Sequence, residues 1–199
     1  MLHFNADTHE YRDRGRLIPS VTQILAPLSN FSFVEPETLA AAQAFGTAVH
    51  RACELSDLGQ LAEDDLDPAL APYLAGWRNF CRDHDCKWEE VEHQVYFETM
   101  QYAGTLDRVG TVDGARAIVD IKSGSSLFPS VGPQLAAYAH AYHAQGGIFK
   151  RYAVRLFPCG YEIKEYADPR DWAVFASLIT LRQFCARNNI TPYYPKEQK

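Results

Sequence analysis

The sequence predicts a mixed α/β or α+β domain, and three features carry that expectation. Two segments rich in helix formers, from residue 36 to about 58 and from 67 to about 81, come before any convincing core strand. Residues 88–122 then change to a period-two alternation, interrupted by Asp113-Gly114, a strong short hairpin signal. A further helix pattern, a strand pair and a last helix complete the order.

The chain of 199 residues is read as a single domain, long enough for one sizeable core and short for two. Within it, 1–35 reads as an N-terminal arm and short helix, 36–87 as helices, 88–191 as the core, and 192–199 as a loose tail. Hydrophobic residues at 47% and charged residues at 22% match soluble globular averages. No apolar run approaches the roughly 20 residues of a membrane span, and Met1 to Arg16 lacks a basic-then-apolar leader, so a cytoplasmic protein is expected. Five cysteines without a Cys-x-x-Cys pair fit neither a disulfide framework nor a zinc ribbon, and most are read as plain buried thiols. The net charge of −6 is uneven: residues 1–100 hold 7 Lys/Arg against 17 Asp/Glu, and residues 101–199 hold 12 against 8. The second half therefore permits a local phosphate-binding face.

Each element has a local cause. Residues 3–17 are polar, with Arg14-Gly15 as a turn, and read as a hairpin or extended arm. Ser20-Val-Thr-Gln23 is a capping box that starts a short helix. Pro36 stands at a first helical position ahead of a run ending before Gly59, and places His50 and Glu54 one turn apart. Asp67-Pro68 caps a second helix with Leu70, Leu74, Trp77, Phe80 and Cys81 as its apolar stripe. Val91, Val95 and Phe97 alternate with Glu92, Gln94 and Tyr96 in a first strand, and residues 102–112 and 115–122 form an antiparallel meander with it. Gly132-Pro133 opens a helix ended by Gly146-Gly147, residues 149–157 and 161–166 pair as strands, and Asp168-Pro169 caps a helix to about Asn188.

The chemistry centres on Ile118-Val-Asp-Ile-Lys122, since Asp120 and Lys122, two apart on a strand, project from one face while Val119 and Ile121 face the core. An ordinary edge ion pair is the other reading of this pentapeptide. The preceding strand, Gly104-Thr-Leu-Asp-Arg-Val-Gly110, places Asp107 on a chain that the hairpin returns beside Asp120. Converging carboxylates repel unless they share a proton or a cation, and hard oxygen ligands suit Mg²⁺ or Mn²⁺.

With Gly46-Thr-Ala-Val-His50 before the core, Glu92, the Gly-x-x-Asp-Arg strand, Asp120-x-Lys122 and Gln134-Leu-Ala-Ala-Tyr138 in this order, the sequence resembles the PD-(D/E)XK nuclease superfamily in its RecB-type exonuclease branch. Pro19-Ser-Val-Thr22 is also similar to the start of mitochondrial genome-maintenance exonucleases and related phage and bacterial proteins. The resemblance implies a restriction-endonuclease-like fold with a central mixed sheet flanked by helices. It implies a DNA exonuclease acting on single strands or free ends in the cytoplasm of a bacterial or phage-infected cell, and leaves open a helicase or recombinase partner. Asp107, Asp120, the Ile121 carbonyl and His50 would hold one or two Mg²⁺ or Mn²⁺ ions, with Lys122, Glu92, Gln134 and Tyr138 completing the catalytic set. No iron-sulfur cluster is expected, because only Cys159 and Cys185 lie late in the chain.

For the DNA itself, Ser20 and Thr22 at a helix start and the cations Arg51, Arg108, Lys150 and Arg151 are the candidate contacts. Each also has a plainer reading: capping for Ser20, a helix-face acid for Glu54, a satisfied helix histidine for His50, and a core tyrosine for Tyr138. Trp77, Trp88 and Trp172 are read as core or near-core rather than as base platforms. The rival functions are a structure-specific endonuclease of the same chemistry and a non-catalytic nucleic-acid or partner-binding module.

Overall fold

The computed structural model describes residues 2–5, 8, 10–29, 34–142 and 149–191. Its centre is a sheet of five strands in sequential order: β4 (Lys87–Phe97), β5 (Tyr102–Val112), β6 (Ala115–Lys122), β7 (Lys150–Phe157) and β8 (Gly160–Glu165). The expected meander is there, with antiparallel β4–β5 and β5–β6 pairs, and Asp113 and Gly114 both take positive φ at the turn. β7 joins β6 in parallel register, Asp120 opposite Ala153, and β8 turns back antiparallel to it. The sheet is therefore mixed, and the parallel step is made through the helix α4 (Val131–Tyr142).

Helices cover both faces. On one, α2 (Pro36–Asp57) and α3 (Ala71–Asp83) bury Val49, Cys53, Leu74, Trp77 and Phe80 against Val119, Ile121 and Val154. On the other, α1 (Val21–Leu25), α4 and α5 (Arg170–Asn188) pack Val21, Leu135, Phe175 and Ile179 over Leu106, Val109 and Ile118. A separate small sheet, β1 (Leu2–Asn5), β2 (Glu10–Asp13) and β3 (Arg16–Ile18), turns through Arg14 and Gly15, both at positive φ, and seats Tyr11 and Ile18 on Ala103.

The Ser20 capping box forms as expected, with Ser20 Oγ accepting from the Gln23 amide and Gln23 Oε1 accepting from the Ser20 amide, each at 3.1 Å. Pro36 opens α2. The second helix departs from expectation: Asp67 caps only a turn, accepting from the Ala69 amide, and α3 begins at Ala71. Cys53 and Cys185 are buried, but Cys81 and Cys86 are half-buried and Cys159 is exposed, so plain burial describes two of the five thiols. Trp77 is fully buried, and Trp88 and Trp172 pack at the margins of the core, as read from the sequence. Gly146-Gly147 and the tail from Pro192 lie outside the described residues. Among the described residues no helix is long and apolar enough to cross a membrane.

Candidate active site

The β5–β6 ladder stops at Arg108 opposite Val119, one step short of Asp107 and Asp120. There the strands part, and the Asp107 carboxylate takes up the Ile121 amide that the ladder no longer pairs, Oδ2 accepting at 2.6 Å. In a strand the N–H and C=O of one residue point to the same edge, so the Ile121 carbonyl is directed toward Asp107 as well. Asp120 on the facing strand binds Lys122 Nζ at 2.6 Å through Oδ2 and accepts from Gln134 Nε2 at 3.1 Å through Oδ1. Gln134 also reaches the Tyr138 hydroxyl, one turn further along α4, at 3.3 Å.

Two helices deliver the rest. α2 places His50 Nδ1 3.5 Å from Asp107 Oδ2. Gly46, one turn earlier, packs near the end of β6: a Cβ there would lie 3.3 Å from the hydroxyl of Ser123, a contact that rotation of the serine relieves. Gly104 on β5 is the stricter position, since a Cβ there would sit 2.7 Å from the Tyr138 ring. Gly104 therefore lets α4 close on the parted strands.

On β4, Glu92 lies between Val91, paired with Arg108, and His93, paired with Leu106, and so stands opposite Asp107. Its φ of +50°, unfavourable for a non-glycine residue inside a strand, turns its carboxylate toward the parted strands. One potential ligand atom from each of His50, Glu92 and Asp107 lies within 4.8 Å of the others. A nitrogen and two hard oxygens at this spacing suit a divalent cation, with Asp120 adjoining. The sequence reading named His50, Asp107, Asp120 and Ile121 as ligands; the group formed among the described residues has Glu92 in place of Asp120, while Asp120 is held by Lys122 and Gln134.

The charges respond to this crowding. Burial, then the neighbouring Asp107 charge, pushes the Glu92 carboxyl up to about 7. Burial also works to raise Asp107, but His50, Lys122 and the Ile121 amide outweigh it and hold that carboxyl at about 2. Asp120, buried beside it, is raised despite Lys122, so the pair shares its protons unequally. Burial opposes the charge on Lys122, yet Asp120 and Asp107 win and keep the ammonium protonated. The same contest, won by Asp107, raises His50.

Beneath the centre lies a polar network that sequence reasoning missed. Arg108 was expected to contact DNA, but its side chain is wholly buried. Nε binds Asp57 Oδ2 at 2.7 Å, and Nη1 binds Glu92 Oε1 at 3.2 Å and the Asp107 carbonyl at 2.6 Å. Trp77 Nε1 donates to both oxygens of Asp57 at 3.0 Å, and its ring lies under the guanidinium. Arg108 is thus a strut that holds Glu92 and Asp107 from behind. The legible signal was the spacing of His50, Glu54 and Asp57, a polar stripe along one face of a mostly apolar helix.

His50, Glu92, Asp107, Asp120, Lys122, Gln134 and Tyr138 open into a cleft of about 890 Å³, whose walls include Glu54, Gln94 and Thr105 as well as Ser20, Thr22, Phe4 and Tyr11. Tyr11 ties the small sheet to this wall through a 2.7 Å hydrogen bond to Thr105. Glu54, read from sequence as a helix-face acid, thus borders the cleft and pairs with Arg51 at 2.7 Å. Ser20 and Thr22 line the cleft, but α1 has five residues and the Ser20 amide is spent on its own cap. Lys150 and Arg151 do not line it. They pair with Ala117 and Ile118, five and four register steps below Lys122 and its partner Arg155, or roughly 15 Å away at ~3.3 Å per residue. Lys150 is bound to Glu165, and Arg151 to Asp171 and the Asp168 carbonyl. The basic second half of the chain therefore does not make a basic cleft: Glu54, Glu92, Asp107 and Asp120 face Lys122 there.

Among known protein families, the one described as the PD-(D/E)XK nuclease superfamily matches residues 25–172. No curated protein matches the chain. A solved structure titled "Crystal structure of SSO0001" is similar at 16% identity over 74% of this chain and 77% of that one, with a TM-score of 0.37, too loose a likeness to carry an argument.

Proposed function

This chain belongs to the PD-(D/E)XK nuclease superfamily, with the mixed sheet and flanking helices of a restriction-endonuclease-like fold, and from that premise we propose that it is a metal-dependent DNA exonuclease acting on single strands or free ends. The observation that carries the reading is the convergence of His50, Glu92 and Asp107 beside the Asp120–Lys122 pair in one cleft. A divalent ion held by His50, Glu92 and Asp107, with Asp120 and the Ile121 carbonyl adjoining, would polarise the scissile phosphodiester and lower the pKa of an attacking water. Four carboxylates facing one ammonium would repel a phosphate backbone unless divalent charge offsets them, which also favours this use.

The side chains divide the remaining work. Lys122, kept protonated by Asp120, is suited to neutralise charge growing on the phosphate and unsuited to act as a base. Gln134 fixes the free oxygen of Asp120, and Tyr138, held neutral by burial, orients Gln134. Arg108 holds Glu92 and the Asp107 backbone against Asp57, so both carboxylates are preorganised before substrate arrives.

The test is hydrolysis of end-labelled single- and double-stranded DNA, linear and circular, in Mg²⁺, Mn²⁺ or EDTA. Linear DNA should be degraded from its ends only with metal, and circular DNA should survive. Asp107→Asn and Asp120→Asn should abolish turnover, and Lys122→Ala should lower it about 10²- to 10³-fold, the cost of losing a donor at a developing charge. Equal behaviour of the parent and all three variants would overturn the assignment, and cleavage of circular DNA would favour the endonuclease.

A further inference from the structure

A second cavity, of about 440 Å³, opens beside the catalytic cleft and shares Thr22, Lys122 and Gln134 with it. The two hollows therefore meet at the ammonium of Lys122. Their linings differ in kind. Among the described residues, the cleft carries four carboxylates, whereas the walls of the second cavity carry none, and Lys122 at the boundary is their one charged group. Apolar surface comes from Leu25 of α1 and Val131 of α4, and amide and hydroxyl groups come from Gln43, Ser126 and Ser130. Phe128, on the loop between β6 and α4, lines the same space with 46% of its surface exposed.

Resting on the nuclease reading above, we propose that this cavity binds the base and sugar of one unpaired nucleotide next to the scissile phosphate, with the base stacked on Phe128. The chemistry favours that occupant. A lining of one aromatic, a few aliphatic groups and uncharged donors and acceptors accepts any base without repelling it. A phosphate at the catalytic centre would lie by Lys122, on the threshold of the cavity, so the next nucleoside along the strand enters it by chain continuity. The volume falls within the range of ligand sites, about 300–1,000 Å³, and leaves room for one nucleoside. A base stacked on Phe128 in this hollow has left any duplex stack, so the strand is single, or frayed, at this position, which ties the preference for single strands and free ends to one pocket rather than to the whole cleft.

Abasic scanning tests it. Single-stranded oligonucleotides with one tetrahydrofuran nucleotide, moved stepwise past the scissile phosphate, are compared on the parent, Phe128→Ala and Phe128→Trp. In the parent, base removal at the one register adjoining the cut should raise KM about 5- to 150-fold, the range expected for a lost base–aromatic stack. Phe128→Ala should show the raised KM with the intact base and no further penalty on base removal, and Phe128→Trp should restore the parent pattern. Because Phe128 is half exposed, melting curves should show both variants folded. The same penalty in Phe128→Ala as in the parent, or no penalty at any register, overturns the proposal. The same oligonucleotides in a binding assay separate the two readings. Phe128-dependent loss of affinity without hydrolysis would sink the nuclease and keep the pocket, whereas hydrolysis without that dependence would do the reverse.

Discussion

Asp57→Ala should be strongly destabilising although Asp57 does not line the cleft. Arg108 is entirely enclosed, and its Nε hydrogen bond to Asp57 is the closest charge–charge contact it makes. Its other hydrogen-bonded anion, Glu92, is pushed up to about 7 and so is only partly ionised at neutral pH, and Asp107, which acts on it through charge alone, is already shared with His50 and Lys122. Removing Asp57 therefore leaves a buried guanidinium short of countercharge, and strands the Trp77 indole N–H, for which Asp57 is the acceptor. Breaking one side of a buried pair costs about 3–5 kcal/mol. In a chain of 199 residues each 1 kcal/mol moves Tm by about 2–4 °C, so a fall of roughly 6–20 °C follows. Asp57→Asn keeps an acceptor and loses the charge, and should fall between the parent and alanine. The companion Arg108→Met, combined with Asp57→Ala, should cost less than the two single changes summed, because no unpaired charge remains. Thermal melts and guanidinium unfolding in EDTA measure this, with Mn²⁺ binding as a second reading, since freeing Glu92 should weaken the cation site. A Tm within about 2 °C of the parent for Asp57→Ala would show that Arg108 does not depend on this partner, and the strut would be refuted.

Three further outcomes follow from the geometry. Without metal the protein should lose stability as pH rises from about 5 to 8. Glu92, raised from 4.5 to about 7, and His50, raised above 6.5, both bind protons more tightly folded than unfolded, so their contributions are full at low pH and lost on deprotonation. Melts in EDTA should show this slope, Glu92→Gln should flatten it, and Mg²⁺ should oppose it by favouring the deprotonated ligands; a flat parent profile would contradict it. Gly104→Ala forces a Cβ to 2.7 Å from the Tyr138 ring and 3.2 Å from Val21, and overpacking of this kind costs about 1–3 kcal/mol. Its kcat should fall more than its KM rises as Gln134 shifts, and unchanged melting would show that the helix yields freely. Lys150→Ala removes an exposed, solvent-screened pair with Glu165 at the far end of β7. KM for DNA should stay within about twofold of the parent, and a larger rise would place the substrate path across that end of the sheet.

What could be read directly from the chain was local. The Ser20 capping box, Pro36 at a helix start, the Asp113-Gly114 turn and the alternation along β4 are decided within a few residues, by backbone conformation and side-chain period. The motif order also brought His50, Glu92, Asp107, Asp120, Lys122, Gln134 and Tyr138 together, and all seven line one cleft. Side-chain direction at the irregular point was not legible. A period-two rule says nothing of where β5 and β6 part, or that Glu92 turns through a positive φ, because both depend on the strand alongside. Nor does a formal charge reveal its partner: Arg108 looked like a phosphate contact until Asp57, 51 residues away, enclosed it, and Lys150 looked available until the parallel register carried it to the far end of the sheet. Local residue order determined the elements and the chemistry they carry. Packing between distant segments decided which charges face the cleft and which are spent inside, since burial and countercharge are set by neighbours that only the folded chain supplies.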